Sequence, residues 1–492
     1  MMAFPLPPRH MRVLCFCLLL AGCADPGQQK PSQTLLNVAE LDVGKDIRDS
    51  GVSPRKILGD QWWAVFADPM LDRLVTASLA DAPSLQLARA RIDQAQGQAG
   101  VANAATRPNL GFMSQLLRSQ ESSNYKTDST NAGVWHTDGQ VLLQAGYNLD
   151  LWGQNRALNE AALGNLRASQ AEESVARLAL VSSIVDTYFA LNGVYSDLSI
   201  VERNLAQRQN ILSLSEQRLS SGLGTRVDVV RAKGPIPVLE ADKQRLLGLA
   251  RSYQYRLAAL AGKGPGWGEQ WGRDPRFSNL SVDVSLPSEL PAALIGGRPD
   301  VLAQRLKVEV QAKRIGAARA AFYPNINLVA FAGFQSFGFQ TLLDKGSRTF
   351  GAGPAITLPL FDAGNLRSKL QIENAAYAQA VATYNQTLVN AMAEIAGRVS
   401  QLQVLKLRQQ KLEQGLAVAE QAYQLEVLRY RQNLTDFLHV LDTQTQVLDI
   451  QMTLSTLRTS VLQNHAGLLQ ALGGVWNETA TTHTIIIGTS HE

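Results

Sequence analysis

Apolar and polar positions alternate from Val141 to Leu151. Val141, Leu143, Ala145, Tyr147, Leu149 and Leu151 fall on one side, and Gln144, Gly146, Asn148 and Asp150 on the other, with Leu142 the one misfit. Period two predicts a strand with one apolar and one polar face. After Trp152-Gly153 the pattern changes. The 68 residues from Gln154 to Ser221 contain no proline and only two glycines, Gly164 and Gly193. That predicts a helix of roughly 100 Å, longer than ordinary globular helices. Leu178, Val181, Val185, Tyr188, Tyr195 and Leu198 recur at three-and-four spacing, which favours supercoiled packing around a core or a lumen.

The same arrangement occurs again. Leu360-Phe361-Asp362-Ala363-Gly364-Asn365-Leu366-Arg367 echoes Leu149-Asp150-Leu151-Trp152-Gly153-Gln154-Asn155-Arg156, with Gly364 lying 211 positions after Gly153. A second proline-free stretch of 68 residues follows, from Asn365 to Gln432. The rods end alike: Arg218, Gly222 and Leu223 match Arg429, Asn433 and Leu434 at the same offset. A constant offset across strand end, rod and turn indicates a duplicated unit.

Each unit also predicts a hairpin. Arg107-Pro108-Asn109-Leu110 and Tyr323-Pro324-Asn325-Ile326 open the outgoing strands, with proline at a tolerated strand start. Polar loops at 119–139 and about 335–348 lead to the returning strands, and Ala352, Pro354, Ile356, Leu358 and Leu360 share one face of the second. Two helices precede the first strand, and Arg298-Pro299-Asp300 starts the helix before the third. Return helices are expected from about Val227 to Gly262 and from Thr435 to Leu472. Pro235 and Pro237 should kink or interrupt the first of them. Four strands cannot close a transmembrane barrel, whose smallest forms use about eight, but three chains supply twelve. The alternative is a four-stranded sheet packed on a helical body.

Composition narrows the choice. The 492-residue chain carries a net charge of +4, too small to argue for nucleic acid. No uncharged run of 18 apolar residues follows the N-terminus, so a membrane-spanning part would have to be a strand barrel. The three cysteines, Cys15, Cys17 and Cys23, form neither a disulfide framework nor a zinc site. Arg9, His10 and Arg12 before the apolar run Val13–Leu20 describe a signal peptide. The six histidines show no ligand spacing, and no phosphate loop, nucleophile elbow or HExxH motif occurs, so an enzyme is not expected and no cofactor or metal is implied. A lipid-anchored coiled-coil scaffold explains the rods but not the duplicated hairpins.

Leu19-Leu20-Ala21-Gly22-Cys23 resembles a bacterial lipobox, which implies cleavage before Cys23 and its acylation. Together with Trp62-Trp63, Leu149-Asp150-Leu151-Trp152-Gly153, Arg298-Pro299-Asp300, Arg319-Ala320-Ala321-Phe322-Tyr323-Pro324, Leu360-Phe361-Asp362-Ala363-Gly364 and Ala471-Leu472-Gly473-Gly474, it resembles the TolC-like outer membrane factor family, in particular its lipidated NodT/OprM branch. The resemblance covers about residues 60 to 476. It implies an α+β membrane protein: a homotrimer with a 12-stranded β-barrel, four strands per chain, continuous with a long α-helical barrel. The implied role is the exit duct of a tripartite efflux pump exporting drugs or small toxic compounds. A type I protein-secretion duct is the related alternative. The implied partners are a periplasmic membrane-fusion adaptor, an inner-membrane transporter reached through it, and outer-membrane lipid.

The expected organisation is a signal peptide (1–22), a lipidated tether (23–60), repeat 1 (61–262), a linker (263–291), repeat 2 (292–474) and a tail (475–492). The resemblance also places the periplasmic tip at the turns Arg218–Asp228 and Arg429–Asp442. Arg218, Gly222, Leu223, Asp228, Arg429, Asn433, Leu434 and Asp436 are expected to meet the adaptor. Leu438, His439 and Asp442 are expected to line the pore constriction, with Asp442 in a carboxylate ring and His439 at a position acidic in some relatives. Thr445 replaces an arginine of the OprM type.

Overall fold

The computed structural model describes residues 33–36, 61–120, 122, 124, 133–273, 298–432 and 434–474. The signal peptide, Cys23, most of the tether, most of the linker, Asn433 and the C-terminal tail lie outside them. Helices α1 (Pro69–Asp81) and α2 (Pro83–Ala104) lead to strands β1 (Asn109–Gln120) and β2 (Trp135–Asn148). Then come α3 (Gln154–Ser220), α4 (Arg226–Lys233), α5 (Pro235–Leu260) and the single turn α6 (Pro265–Gly268). The second half holds α7 (Pro299–Ala320), β3 (Asn325–Phe337), β4 (Arg348–Thr357), α8 (Asn365–Arg431) and α9 (Phe437–Ala471).

Two compact units emerge. The first combines residues 91–170 with 303–384; the second combines 36–90, 171–302 and 385–492, within the described residues.

The first unit contains one antiparallel sheet in the order β1-β2-β3-β4. Its register shows what the alternation accomplishes. Phe112 pairs with Leu143, Leu143 with Ala332 and Ala332 with Phe350; Leu110 pairs with Ala145, Ala145 with Ala330 and Ala330 with Ala352. Directly paired residues share a face, so Tyr147, Leu328, Pro354 and Ile356 join the same apolar surface. Among the described residues on it, Leu110, Phe112, Leu143, Phe350 and Ile356 are all exposed. The opposite face carries Gln115, Gln140, Gln144, Gln335 and Asn327, with Gln140 donating to Gln115 Oε1 at 2.6 Å. Leu142, the misfit of the pattern, lies on this second face and is buried. Its direct neighbour is Gly333, where a side chain would strike the backbone oxygen of Val141. The first hairpin loop is shorter than the polar composition implied, because β1 continues to Gln120 and β2 begins at Trp135.

Strand passes into rod through an aspartate cap. Asp150, in the left-handed region at φ 45°, accepts from the backbone N–H groups of Asn155 and Arg156 at 2.9 Å each. Asp362 accepts from Gly364 at 3.0 Å and from Leu366 at 2.7 Å, and the Leu366 bond, with smaller help from Gly364, holds its carboxyl below the usual carboxylate range.

The second unit holds the main core. The Trp62–Phe66 3₁₀ turn packs against α3 residues Val181, Ile184, Val185, Tyr188 and Phe189. Tyr188 Oη donates to Asp68 Oδ2 at 2.6 Å, while Asp68 Oδ1 caps α1 through Met70 and Leu71. One 18-residue stretch of α3 has a mean hydropathy of 1.4 and is half buried. This is an apolar-rich segment rather than an unbroken apolar run, and its residues form core. Arg298 forms a fork with Asp300 at 3.1 and 3.0 Å, reaches Glu394 at 3.2 Å, and donates to the carbonyl of Ala471. Burial works against its charge, but the bonds and charges of Asp300 and Glu394 outweigh that and raise its pKa above the usual arginine range.

Pro235 and Pro237 interrupt the return helix as expected, but only its hydrogen-bond ladder. Gly234 keeps right-handed helical angles (φ −55°, ψ −46°) and still bonds Val230 O at 3.1 Å. Proline is tolerated in a first helical turn, where the missing N–H has no intrahelical partner to lose.

Candidate functional site

The two rod ends lie in the second unit, around a small apolar cluster of Ile211, Ala232, Tyr430, Phe437 and Val440. Both rods end in the same six-residue turn: Leu223 N donates to Arg218 O at 2.8 Å, and Leu434 N to Arg429 O at 2.9 Å. Gly222 supplies the left-handed residue of the first turn at φ 69°, the arrangement of a Schellman cap. Asn433, its counterpart, lies outside the described residues.

The structure separates the paired arginines. Arg218 lies over the Tyr430 ring at 4.4 Å and donates to Tyr430 O at 3.0 Å and Leu223 O at 3.1 Å, so it ties one rod end to the other. Arg429 instead pairs with Glu426 one turn back, at 2.8 Å. Asp228 is engaged in a capping box: its carboxylate accepts from Thr225 N at 3.0 Å and Thr225 Oγ1 at 2.7 Å, while Thr225 Oγ1 accepts from Asp228 N. Thr225-x-x-Asp228 spells that cap in the sequence. Leu223, Val227, Val230 and Leu434 stand exposed around the two turns.

Asp436 is the N-cap of α9. It accepts from Leu438 N at 3.0 Å and His439 N at 3.4 Å, and His439 Nδ1 lies 2.9 Å from the same oxygen. The hydrogen bond with Asp436, then its charge, raises the His439 pKa; Glu426 and Asp442 add smaller contributions. The same bond, supported by the His439 and Leu438 N–H groups, lowers the Asp436 pKa. Leu438, His439 and Asp442 are exposed on α9, whereas Phe437 and Val440 on its other side are buried.

Thr445 has an arginine partner from another helix. Buried Arg208 of α3 donates through Nη2 to Thr445 Oγ1 at 3.1 Å. Burial lowers the Arg208 pKa, and Tyr423 offsets part of that. No sequence signal singled out Arg208 or Tyr430, because both meet partners more than 200 residues away. Among the described residues no group of three or more His, Cys, Asp or Glu is placed to hold a metal ion.

Comparison with known proteins gives this geometry its setting. The sequence profile of the family described as outer membrane efflux protein matches residues 74–262 and 290–474. The fusaric acid resistance protein FusA of Burkholderia cepacia is 35% identical over 372 residues, covering 74% of this chain and 69% of FusA. The pyoverdine export outer membrane protein OpmQ of Pseudomonas putida is 29% identical, covering 96% and 99%. Among solved structures, the outer membrane protein VceC of Vibrio cholerae superposes with a TM-score of 0.77 at 34% identity, covering 85% of this chain and 99% of VceC. The fold class is that of the family's trimeric channels, α+β with an internal duplication and four strands from each chain. Two profile matches, the duplicated rods and hairpins, and a sheet with exposed apolar residues along one face thus converge: the chain belongs to the outer membrane efflux protein family and is an outer membrane efflux channel.

Proposed function

We propose that the protein is the exit duct of a tripartite pump, with three copies pooling four strands each into one twelve-stranded barrel. The observation that carries this reading is the sheet register. One face is apolar across all four strands and exposes Leu110, Phe112, Leu143, Phe350 and Ile356, and β1 and β4 each have an edge with no strand partner within the described residues. Lipid suits such a face, and closure between copies suits such edges. A pore-less scaffold has no use for either. The cargo class is small organic compounds, including toxic ones, as relatives named for multidrug resistance, fusaric acid resistance and pyoverdine export suggest.

The tip turns, with exposed Leu223, Val227, Val230 and Leu434, are the surface offered to a periplasmic adaptor, and the adaptor links the duct to an inner-membrane transporter. Asp442 supplies the carboxylate ring of the constriction and Leu438 its apolar neighbour. His439 acts there as half of a pair with Asp436. Acylated Cys23 anchors the chain to the membrane. Repeats 61–262 and 292–474 are the duplicated halves.

The test is conductance. Purified protein in planar bilayers is expected to give discrete cation-selective currents that Asp442→Asn makes less selective, and to run as a heat-dissociable trimer. Absence of both currents and trimers overturns the duct.

A further inference from the structure

We propose that the loop joining β3 to β4, residues 338–347, is an interfacial anchor that inserts Phe339 and Leu343 into the outer leaflet of the membrane. The inference rests on the reading of the apolar sheet face as lipid-facing, and goes beyond it by assigning a membrane role to a loop. After Phe337 the chain folds back over the sheet instead of projecting away from it. The Leu342 methyls lie 3.1 and 3.2 Å from the point where a Cβ on Gly139 would stand, and Leu116 Cδ1 lies 3.3 Å from it. Gly139 pairs with Leu116, on the face of Leu110 and Phe112, so the loop is seated on the apolar side. Glycine at this position of β2 opens the seat. Leu342 is 7% exposed, whereas Phe339 and Leu343 beside it are 68% and 72% exposed. With Ser114, Leu116 and Val141 they line a cleft of about 580 Å³.

Two further features fit a lipid edge. The loop satisfies much of its own polarity: Ser336 and Thr341 hydroxyls share a 2.7 Å bond, Ser347 Oγ donates to Thr341 O at 2.7 Å, and Asp344 N and Ser347 N bond carbonyls within the loop. That lowers the cost of leaving bulk water. The same end of the same face also carries the charges and rings of a membrane boundary. Arg118 lies 6.0 Å from the Trp135 ring, and Arg348 pairs with Phe334. Basic and indole side chains above an apolar band match phosphorylated headgroups above hydrocarbon. The apolar band is continuous from the sheet to the loop, which makes lipid its occupant.

Site-directed spin labelling of the full-length protein in vesicles of outer-membrane lipid tests this, because Cys15, Cys17 and Cys23 are the chain's three cysteines and an unsubstituted control reports their background. Labels at Phe339→Cys and Leu343→Cys are expected to collide with oxygen several-fold more than with a water-soluble nickel complex, as a label at Leu143→Cys should. Labels at Asp344→Cys and Gln144→Cys should show the reverse. Adding Leu342→Ser should unseat the loop and reverse the preference at 339 and 343. Nickel access at 339 and 343 with oxygen preference kept at 143 overturns the anchor alone. Nickel access at 143 as well overturns the lipid-facing reading. Exclusion of both probes at 339 and 343 means packing against a second copy, and also overturns the anchor.

Discussion

The two halves of the chain share dimensions and differ in the contacts that hold them. Rods α3 and α8 each span 67 residues, and both their starts and their ends lie 211 positions apart. The helices before the strands, α2 and α7, each span 22 residues, but their offset is 216. The five-residue change falls in the hairpin loops, where length is least constrained. Local interactions have diverged more. At the helix start Ala82 is a buried alanine, whereas its counterpart Arg298 is the hub of an ion-pair cluster. Glycines of the first rod sit at close approaches: a side chain at Gly193 would stand 2.5 Å from Thr459 Oγ1, and one at Gly164 would stand 2.7 Å from Val310 Cγ2. Gly397 and Gly415 of the second rod face open space. Even the capping aspartates, Asp150 and Asp362, differ by one position relative to the repeat. Rod length governs where every later turn falls, so it is held in common, while a cap or a pair need only be satisfied locally.

The largest test of this contrast is Arg298→Ala. It should cost roughly 2–3 kcal/mol, toward or below the lower end for a broken buried pair because Asp300 and Glu394 are about one-third exposed. Urea unfolding of the detergent-solubilised protein, followed by helical circular dichroism, measures it. Adding Asp300→Ser and Glu394→Ser should recover part of the loss, since no unpaired carboxylates remain. No recovery would mean that Arg298 acts through packing alone.

Next, Gly193→Ala should destabilise by about 1–3 kcal/mol through overpacking. Gly397→Ala and Gly415→Ala should each stabilise by about 0.5–1 kcal/mol through helix propensity. The same sign at all three positions would erase the distinction between the rods. Replacing Pro235 and Pro237 together by alanine should change stability by less than about 1 kcal/mol, because the ladder break falls at a helix start; a larger gain would show a strained helix.

The smallest effect concerns His439. Its pKa is raised, so its contribution from the Asp436 pair is complete below the ordinary histidine value and is lost as pH rises through the raised one. Asp436, with a lowered pKa, contributes above the ordinary carboxylate range and loses that contribution as pH falls through the depressed value. The pair is therefore strongest between those two titrations. Histidine NMR should show the His439 midpoint above the ordinary value, and Asp436→Asn should lower it. Both groups are fully solvated, so the midpoint is the readout. In single channels, cation selectivity between about pH 8 and about pH 5.5 should follow the same titration.

Much of this was legible in residue order. Period two located the hairpins, and proline-free spans located the rods, because strand and helix geometries impose their own repeats. Pro299 marked the start of α7. The tip was less legible. Arg218 and Arg429 occupy equivalent positions, yet one stacks on Tyr430 and the other pairs with Glu426. The resemblance put His439 at the constriction, but only the structure pairs its Nδ1 with the Asp436 carboxylate.

The amino-acid order alone determined the element types, their lengths, the duplication and the amphipathic strand face, since each depends on preferences that act over a few residues. Only tertiary structure decided which partner each polar group found. Arg218 meets a carbonyl 212 positions away, Arg208 a hydroxyl 237 away, and Leu342 a glycine seat two strands back. Such choices follow from which helices and strands are brought side by side, and local backbone preference carries no information about that.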